Sequence, residues 1–409
     1  MKDQQWEQIL SLLAGIKQKS QFYSTKYHDL DLADIKDLKG FQSLPLTTKD
    51  ELRESYPLGL AAVPLQDIVR IHSTSGTTGV PVIIPYTAQD VADWAEMFKR
   101  CYEFAGVTSL DRVQVTPGYG LWTAGIGFQA GAELLGAMVV PMGPGNTDKQ
   151  IEMMIDLQTS VLGSTSSYAL LLAETIAERG LQDRINLRVG VIGSERWGEK
   201  MRARISTELG IKLFDIYGLT EVYGPGIAIS CEYQMAMHCW DDFIYAEIID
   251  PETGEVLPDG EFGELVLTTL RKEGAPMIRY RTHDLTRIVG GQCPCGSTHT
   301  RIDTLIGRSD DMVKVKGVNV FPAHIEEALA KIPGASSEYQ VIIEHLNGRD
   351  SMTVLFETSL SGEARLVLEE SLCRLIKQQL GVTVISKAVG LGDLPRSEKK
   401  TQRVFDKRF

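Results

Sequence analysis

No stretch of about 18 consecutive apolar residues occurs in this chain, so no part of it is suited to crossing a membrane as a helix. The opening MKDQQWEQILSLLAGIKQKS lacks the apolar core of about 7–15 residues that a secretory signal carries. Cysteine is sparse, with six in 409 residues, too few for a disulfide scaffold. Positive charge is in deficit. Forty-two Lys and Arg face 54 Asp and Glu, giving a net charge of -12 and a pI near 5.2. Such a chain is a poor partner for nucleic acid or an anionic membrane. The Walker A pattern G-x-x-x-x-G-K-[ST] is missing too, which disfavours a P-loop fold. A cytoplasmic, reducing compartment is expected.

What is present is ordinary in bulk and unusual in detail. At about 150 residues per domain, the length allows two to three domains. Apolar residues make up 43% and charged residues 23%, close to soluble averages. The first 70 residues read as an irregular cap. It opens with a helix through Trp6, Ile9, Leu10, Leu12, Leu13 and Ile16, and Thr47 or Thr48 caps a short helix from Lys49. Helices are predicted over 88–106, 128–135, 149–157, 167–179 and 199–209. Strands are predicted over 112–116, 137–141, 160–163 and 189–193. This alternation predicts an α/β fold with a parallel sheet and helices on both faces. From about 243 the pattern becomes β-rich, with strands over 243–250, 263–270, 277–281 and 285–289. Beyond about 310 a small α+β unit follows. Its strands fall over 312–315, 340–344 and 351–356, and its helices over 323–331 and 362–379. The polar stretch at 308–311 marks the boundary, giving domains 1–309 and 310–409.

Five segments carry chemistry. Ser75, Gly76, Thr77, Thr78 and Gly79 form a loop of hydroxyls and glycines, able to cradle polyphosphate oxygens. Tyr217-Gly218-Leu219-Thr220-Glu221 places a hydroxyl and a carboxylate after an apolar strand, a pairing that suits a phosphate-bridging Mg²⁺. It ends in Gly224-Pro225-Gly226, read as a turn. Tyr280-Arg281-Thr282-His283-Asp284 offers a carboxylate for a ribose diol. Gly307-Arg308-Ser309-Asp310-Asp311-Met312 and Leu394-Pro395-Arg396-Ser397-Glu398-Lys399-Lys400-Thr401 complete the set. Taken singly, each also has a plain structural reading: a flexible loop, a capped turn, a salt bridge of Asp284 to Arg279 or Arg281, a linker, a solvated tail.

In this order the five segments resemble the adenylate-forming (acyl-CoA synthetase-like) superfamily, and within it the phenylacetate–CoA ligase family. The resemblance runs from about residue 40 onward. It implies a large N-terminal domain of mixed and parallel sheets with a β-rich subdomain, and a small mobile C-terminal domain. It also implies an ATP-dependent acid–thiol ligase: a carboxylate attacks ATP to give acyl-AMP and pyrophosphate, then the thiol of coenzyme A takes the acyl group. By the same resemblance, Ser75, Gly76, Thr77, Thr78 and Gly79 hold the phosphates. Glu221 binds Mg²⁺ and Thr220 contacts phosphate. Ser194, Glu195, Asp215, Tyr217 and Gly218 face the adenine, Asp284 holds the ribose and Arg308 reaches the nucleotide. Asp310 is the hinge, and Lys400 is the lysine that meets the carboxylate and α-phosphate. Val80, His283, Arg196 and Lys399 depart from the family pattern: Val80 stands where a phosphate-neutralising lysine is common, and Lys399 competes with Lys400.

Tyr119, Trp122 and Phe128, with Gly218 and Pro225, are the resemblance's acyl pocket, and aromatic walls there suit an aryl carboxylic acid. Cys231, His238, Cys293 and Cys295 would make a closed Cys₃His site for structural Zn²⁺, with Cys239 and His299 as rival ligands. Cys101 and Cys373 read as core. Two other outcomes stay open. One is adenylation with a different acceptor, a carrier protein or a deazaflavin cofactor. The other is a catalytically silent nucleotide sensor. A homodimer is expected by analogy.

Overall fold

The computed structural model describes residues 1–74, 80–195, 197–234, 236–310, 313–315, 318–346, 349–395 and 403–408. Two compact units divide the chain. The first comprises Met1–Ser164, Asn186–Ser194 and Lys212–Thr304. The second comprises Thr165–Ile185, Glu195–Ile211 and Leu305–Phe409, and so carries the helices Ser166–Glu178 and Glu199–Leu209.

In the first unit the N-terminal segment is helical. Helix Asp3–Lys19 buries Ile9, Leu13 and Ile16 against Tyr23, Tyr27, Phe41, Tyr245 and Ile278, as one apolar stripe on an otherwise polar helix should. Helix Lys49–Glu54 starts where expected. Thr48 accepts from the Glu51 N–H, and the Glu51 carboxylate returns to the Thr48 N–H at 2.8 Å, a reciprocal cap. Strands Arg70–Ser73 and Ile83–Tyr86 pair antiparallel on either side of the Gly-rich segment. The sequence reading had no strand here.

The main sheet has eight strands, in the spatial order Arg301–Ile302, Met237–Cys239, Gly224–Ser230, Lys212–Leu219, Val189–Gly193, Val161–Thr165, Arg112–Val115 and Met138–Pro141. The 112, 138 and 161 strands run parallel, as do the 189 and 212 strands. The remaining three add antiparallel, so the sheet is mixed. The expected turn at Gly224-Pro225-Gly226 is instead the start of a buried strand. Its glycines serve close approach. With φ at +113° and +101°, a Cβ at Gly224 or Gly226 would lie 2.6 Å or 2.7 Å from the Trp94 or Phe98 ring.

Helix Ala124–Leu135 begins four residues earlier than the reading from 128. Two of its glycines are there because helix Ala88–Phe104 lies against this one. A Cβ at Gly127 would sit 2.5 Å from Trp94, and one at Gly131 would sit 2.4 Å from the Phe98 Cβ.

Strands Ile244–Ile249, Gly263–Thr269 and Tyr280–Thr286 form the β-rich part, pairing antiparallel. The two strands expected over 277–281 and 285–289 are one strand. Arg279, just before the strand, and His283 take φ of +48° and +64°, and His283 lies where the register against Glu264 and Val266 shifts.

The second unit holds a four-stranded sheet in the order Ile385–Val389, Arg349–Thr358, Ala335–Leu346, Val404–Asp406. Helices Pro322–Ala330 and Gly362–Leu380 supply Ile325, Leu329, Leu368, Leu372 and Ile376 to its core. No helix among the described residues is long and apolar enough to cross a membrane.

Candidate functional site

Strand Lys212–Leu219 delivers the central residues. Its partner strand comes so close at Gly218 that a Cβ would lie 2.0 Å from the Gly224 carbonyl oxygen, so only glycine fits. Along this strand the Asp215 N–H donates to the Ser230 hydroxyl at 2.8 Å. Tyr217 is 7% exposed, and its hydroxyl donates to the Asp284 carboxylate at 2.7 Å. Two motifs far apart in sequence thus meet. The salt bridges weighed for Asp284 go elsewhere: Arg279 pairs with Glu247 at 3.2 Å, and Arg281 with Glu264 at 2.7 Å. Despite burial, which pushes upward, the hydrogen bonds from Arg281 and His283 hold the Glu264 carboxyl down at about 2.

Thr220 and Glu221 follow directly on the end of this strand. The Thr220 hydroxyl lies 3.2 Å from the Thr123 hydroxyl, at the start of the helix that follows the aromatic Gly-rich stretch. Glu221 is 5% exposed, and one carboxylate oxygen lies 3.1 Å from the Lys49 ammonium. Lys49 is the site residue that sequence reasoning missed. It was read only as the first residue of a helix, and nothing local signals where its ammonium goes.

The backbone after Glu221 is pinned. Tyr86 donates its hydroxyl to the Tyr223 carbonyl at 2.8 Å, and the Trp94 indole N–H donates to the Pro225 carbonyl at 2.8 Å. His72, buried just before the Gly-rich loop, stacks edge-on against both Tyr86 and Trp94. Its Nδ1 lies 3.2 Å from the Leu121 carbonyl, which also accepts from the Ser73 N–H at 2.8 Å. Burial holds the imidazole down at about 4, so it is neutral and donates from Nδ1. The strand leading to residues 75–79 is thereby tied to the aromatic stretch 119–125.

Of the acyl-pocket candidates, Trp122 is 44% exposed. Tyr119 has a buried hydroxyl with no partner among the described residues, and burial pushes it up to about 12. Phe128 is wholly buried, with its ring 4.7 Å from Phe98 and packed over Gly163. Ser194, with φ +69°, follows strand Val189–Gly193. In the second unit, Glu195 accepts from the Ser166 hydroxyl and the Ser167 N–H at the start of helix Ser166–Glu178, a favourable place for negative charge. Arg308 and Asp310 make a two-pronged ion pair with both contacts at 2.8 Å. Ser75, Gly76, Thr77, Thr78, Gly79 and Lys400 lie outside the described residues.

The four soft ligands converge as expected. The Cys231, Cys293 and Cys295 sulfurs and a His238 ring nitrogen lie within 4.8 Å of one another. Cys231 and Cys293 are 3.6 Å apart, and Cys295 is 3.5 Å from His238 Nε2. The rivals turn elsewhere. Cys239 is the next residue on the same strand and so points to the opposite face. His299 packs edge-on against Trp240 and accepts from the Asp241 N–H. Burial pushes the Cys231 thiol up to about 12, a penalty that a bound cation reverses by taking the thiolate as ligand. The donor set fits zinc.

Residues 19–270 match the family model of the AMP-binding enzyme, and residues 317–408 match that of the AMP-binding enzyme C-terminal domain. The chain is 42% identical to the phenylacetate-coenzyme A ligase of Pseudomonas putida over 96% of its own length and 89% of the relative's. It is also 42% identical to the Escherichia coli protein of that name, over 95% and 90%. The chain belongs to the phenylacetate–CoA ligase family of AMP-binding enzymes. That membership makes it an AMP-forming acid–thiol ligase. Among solved structures, a 2-hydroxyisobutyryl-CoA ligase in the postadenylation state superposes with a TM-score of 0.90 at 26% identity, covering 98% of this chain and 88% of that one. The adenylate-forming fold read from the motifs is the fold observed.

Proposed function

We propose that this ligase joins an aryl acid of the phenylacetate type to coenzyme A, using ATP and Mg²⁺. The observation that carries the reading is the Tyr217–Asp284 contact at 2.7 Å beside Thr220 and Glu221. It links the strand that carries Asp284, the carboxylate read for the ribose, to the strand that leads to Glu221, the carboxylate read for Mg²⁺, in a chain 42% identical to named phenylacetate-coenzyme A ligases. Adenylation gathers negative charge around phosphorus, so the protein's task is positioning and electrostatic stabilisation.

In this reading Glu221 holds Mg²⁺, which supplies charge neutralisation when bound, and Thr220 contacts phosphate. Lys49, 3.1 Å from Glu221, adds a cationic charge where the family lysine is missing at Val80, and shares Glu221 with the metal. Ser75, Gly76, Thr77, Thr78 and Gly79 wrap the phosphates. Ser194, Glu195, Asp215, Tyr217 and Gly218 line the adenine, and Arg308 reaches the nucleotide. Lys400 brings its ammonium to the reacting carboxylate, a point charge on a flexible stem. Residues 310–409 swing about Asp310 between the half-reactions. Tyr119, Trp122 and Pro225 border the acyl group, with Phe128 packed behind. Cys231, His238, Cys293 and Cys295 hold structural zinc. A cytoplasmic homodimer belongs to the same reading.

The test is pyrophosphate release with Mg·ATP and a panel of aryl acids, with and without CoA, and products identified by mass. An aryl-CoA formed from phenylacetate or a close analogue supports the proposal. Acyl-AMP that accumulates whether or not CoA is present points to another acceptor.

A further inference from the structure

Lys272 is 3% exposed, yet its ammonium has no hydrogen-bond partner among the described residues. It lies 3.5 Å from the ring centroid of Tyr86 and 4.3 Å from that of Tyr223, both rings fully buried. The segment around it cannot swing away. On one side Arg271 pairs with Asp93 at 2.8 Å. On the other, the Glu273 and Gly274 N–H groups donate to Asp90, and the Thr87 hydroxyl donates to Glu273, all at 2.8 Å. The lysine is thus held on two aromatic faces that belong to the backbone clamp after Glu221. Tyr223 is two residues from that carboxylate, and Tyr86 hydrogen-bonds the Tyr223 carbonyl at 2.8 Å.

A buried ammonium of this kind is a poor choice for stability alone. Desolvating it is costly, and an apolar side chain of similar volume often packs as well or better. Cation–π attraction in a desolvated site returns part of that cost, and it acts on the two rings specifically. We propose that Lys272 is a positioning residue for adenylation: its ammonium, sandwiched against Tyr86 and Tyr223, fixes the backbone that presents Glu221. The proposal rests on the Glu221 reading given above.

The test compares Lys272→Met, Lys272→Arg and Glu221→Gln with the wild type. Each is measured for thermal unfolding, acid-dependent pyrophosphate release and Mg²⁺ dependence, with phenylacetate as the acid. Lys272→Met is expected to melt no lower than wild type, yet to lose about tenfold in kcat and to need more Mg²⁺, with the KM for the acid unchanged. Lys272→Arg, which keeps the cation over the rings, is expected to restore most of that loss. Full activity and normal Mg²⁺ dependence in Lys272→Met overturn the proposal. So do equal losses in Met and Arg, which would mean packing alone. If Glu221→Gln is inactive while Lys272→Met is normal, only the Lys272 role falls; if Glu221→Gln is fully active, the Glu221 reading falls and takes this proposal with it.

Should Lys272→Met not fold, the pH profile decides. Burial brings the ammonium down to about 8, opposed by Asp90 and Asp93. The other ionisable groups facing it are Tyr86, Tyr223 and, across the aromatic cluster, His72, with Arg271 and Glu273 beside it in sequence. Wild-type kcat is expected to fall above about pH 8 while Lys272→Arg holds its rate. A limb that persists unchanged in Lys272→Arg overturns the proposal.

Discussion

Replacing Gly127 by Ala sets two effects of opposite sign against each other. Gly127 lies inside helix Ala124–Leu135, where Ala is favoured over Gly by about 1 kcal/mol. Against that, the new Cβ would stand 2.5 Å from a Trp94 ring carbon and 2.7 Å from a Phe98 ring carbon. Ordinary carbon contacts lie at about 3.5–4.0 Å, so both rings must retreat. Neither has room: Trp94 is 1% exposed and Phe98 is fully buried. Trp94 is also tethered through its bond to the Pro225 carbonyl at 2.8 Å. Overpacking of this kind costs about 1–3 kcal/mol, and two trapped rings put it at the upper end, near 3 kcal/mol. The net is a destabilisation of about 2 kcal/mol. Gly15→Ala is the control. It sits in helix Asp3–Lys19, where the nearest atom to a Cβ is the flexible Lys19 side chain at 3.5 Å. There only the propensity gain remains, about 0.5–1 kcal/mol. Thermal unfolding should therefore rank Gly15→Ala above wild type and wild type above Gly127→Ala. Pyrophosphate release should fall in Gly127→Ala, because the displaced indole loosens the Pro225 backbone. A Gly127→Ala protein that melts at or above wild type refutes the packing argument.

Three further outcomes follow from the site. Asp284→Asn should raise the KM for ATP about tenfold or more. Tyr217→Phe, which removes one hydrogen bond worth about 1 kcal/mol, should raise it only several-fold; an unchanged KM in Asp284→Asn rules out a ribose contact. The purified protein should carry about one zinc per chain, and chelation or Cys293→Ser should lower its melting temperature by several degrees; equal melting of metal-free and untreated protein counts against structural zinc. Glu264 is held near 2 in the fold against an ordinary 4.5. A carboxyl depressed in this way stabilises fully above its unfolded value and loses that contribution as pH falls through the folded one. Acid unfolding followed from pH 5 to 2 should therefore be flatter in Glu264→Gln than in wild type, and parallel curves would show that the Arg281 pair contributes nothing.

Local physics was legible in the sequence. The Thr48 cap, the strand Val189–Gly193 and the helix Glu199–Leu209 rest on interactions within a few residues, so hydrophobic spacing and capping chemistry suffice. The order of the motifs identified the ligase family, because each motif is a short run that keeps its chemistry wherever the fold takes it. Contacts between distant residues were not legible. Gly127 fell outside the helix expected from 128, and nothing near it in sequence shows why it or Gly131 must be glycine, since it is the approach of Trp94 and Phe98 that forbids a Cβ there. Nothing near Lys49 announces Glu221, and nothing near Lys272 announces Tyr86 and Tyr223. Whether Asp284 meets an arginine or Tyr217 depended on how strands 212–219 and 280–286 fold toward each other. The metal ligands fall between these cases. Their residue types were plain in the sequence, but the choice of His238 over Cys239 came from strand alternation and from the loop that brings Cys293 and Cys295 back. Sequence determined the chemical inventory and the short-range structure, through spacing and local hydrogen bonds. Tertiary packing alone decided which charges meet, because those pairings join residues that the chain keeps far apart until it folds.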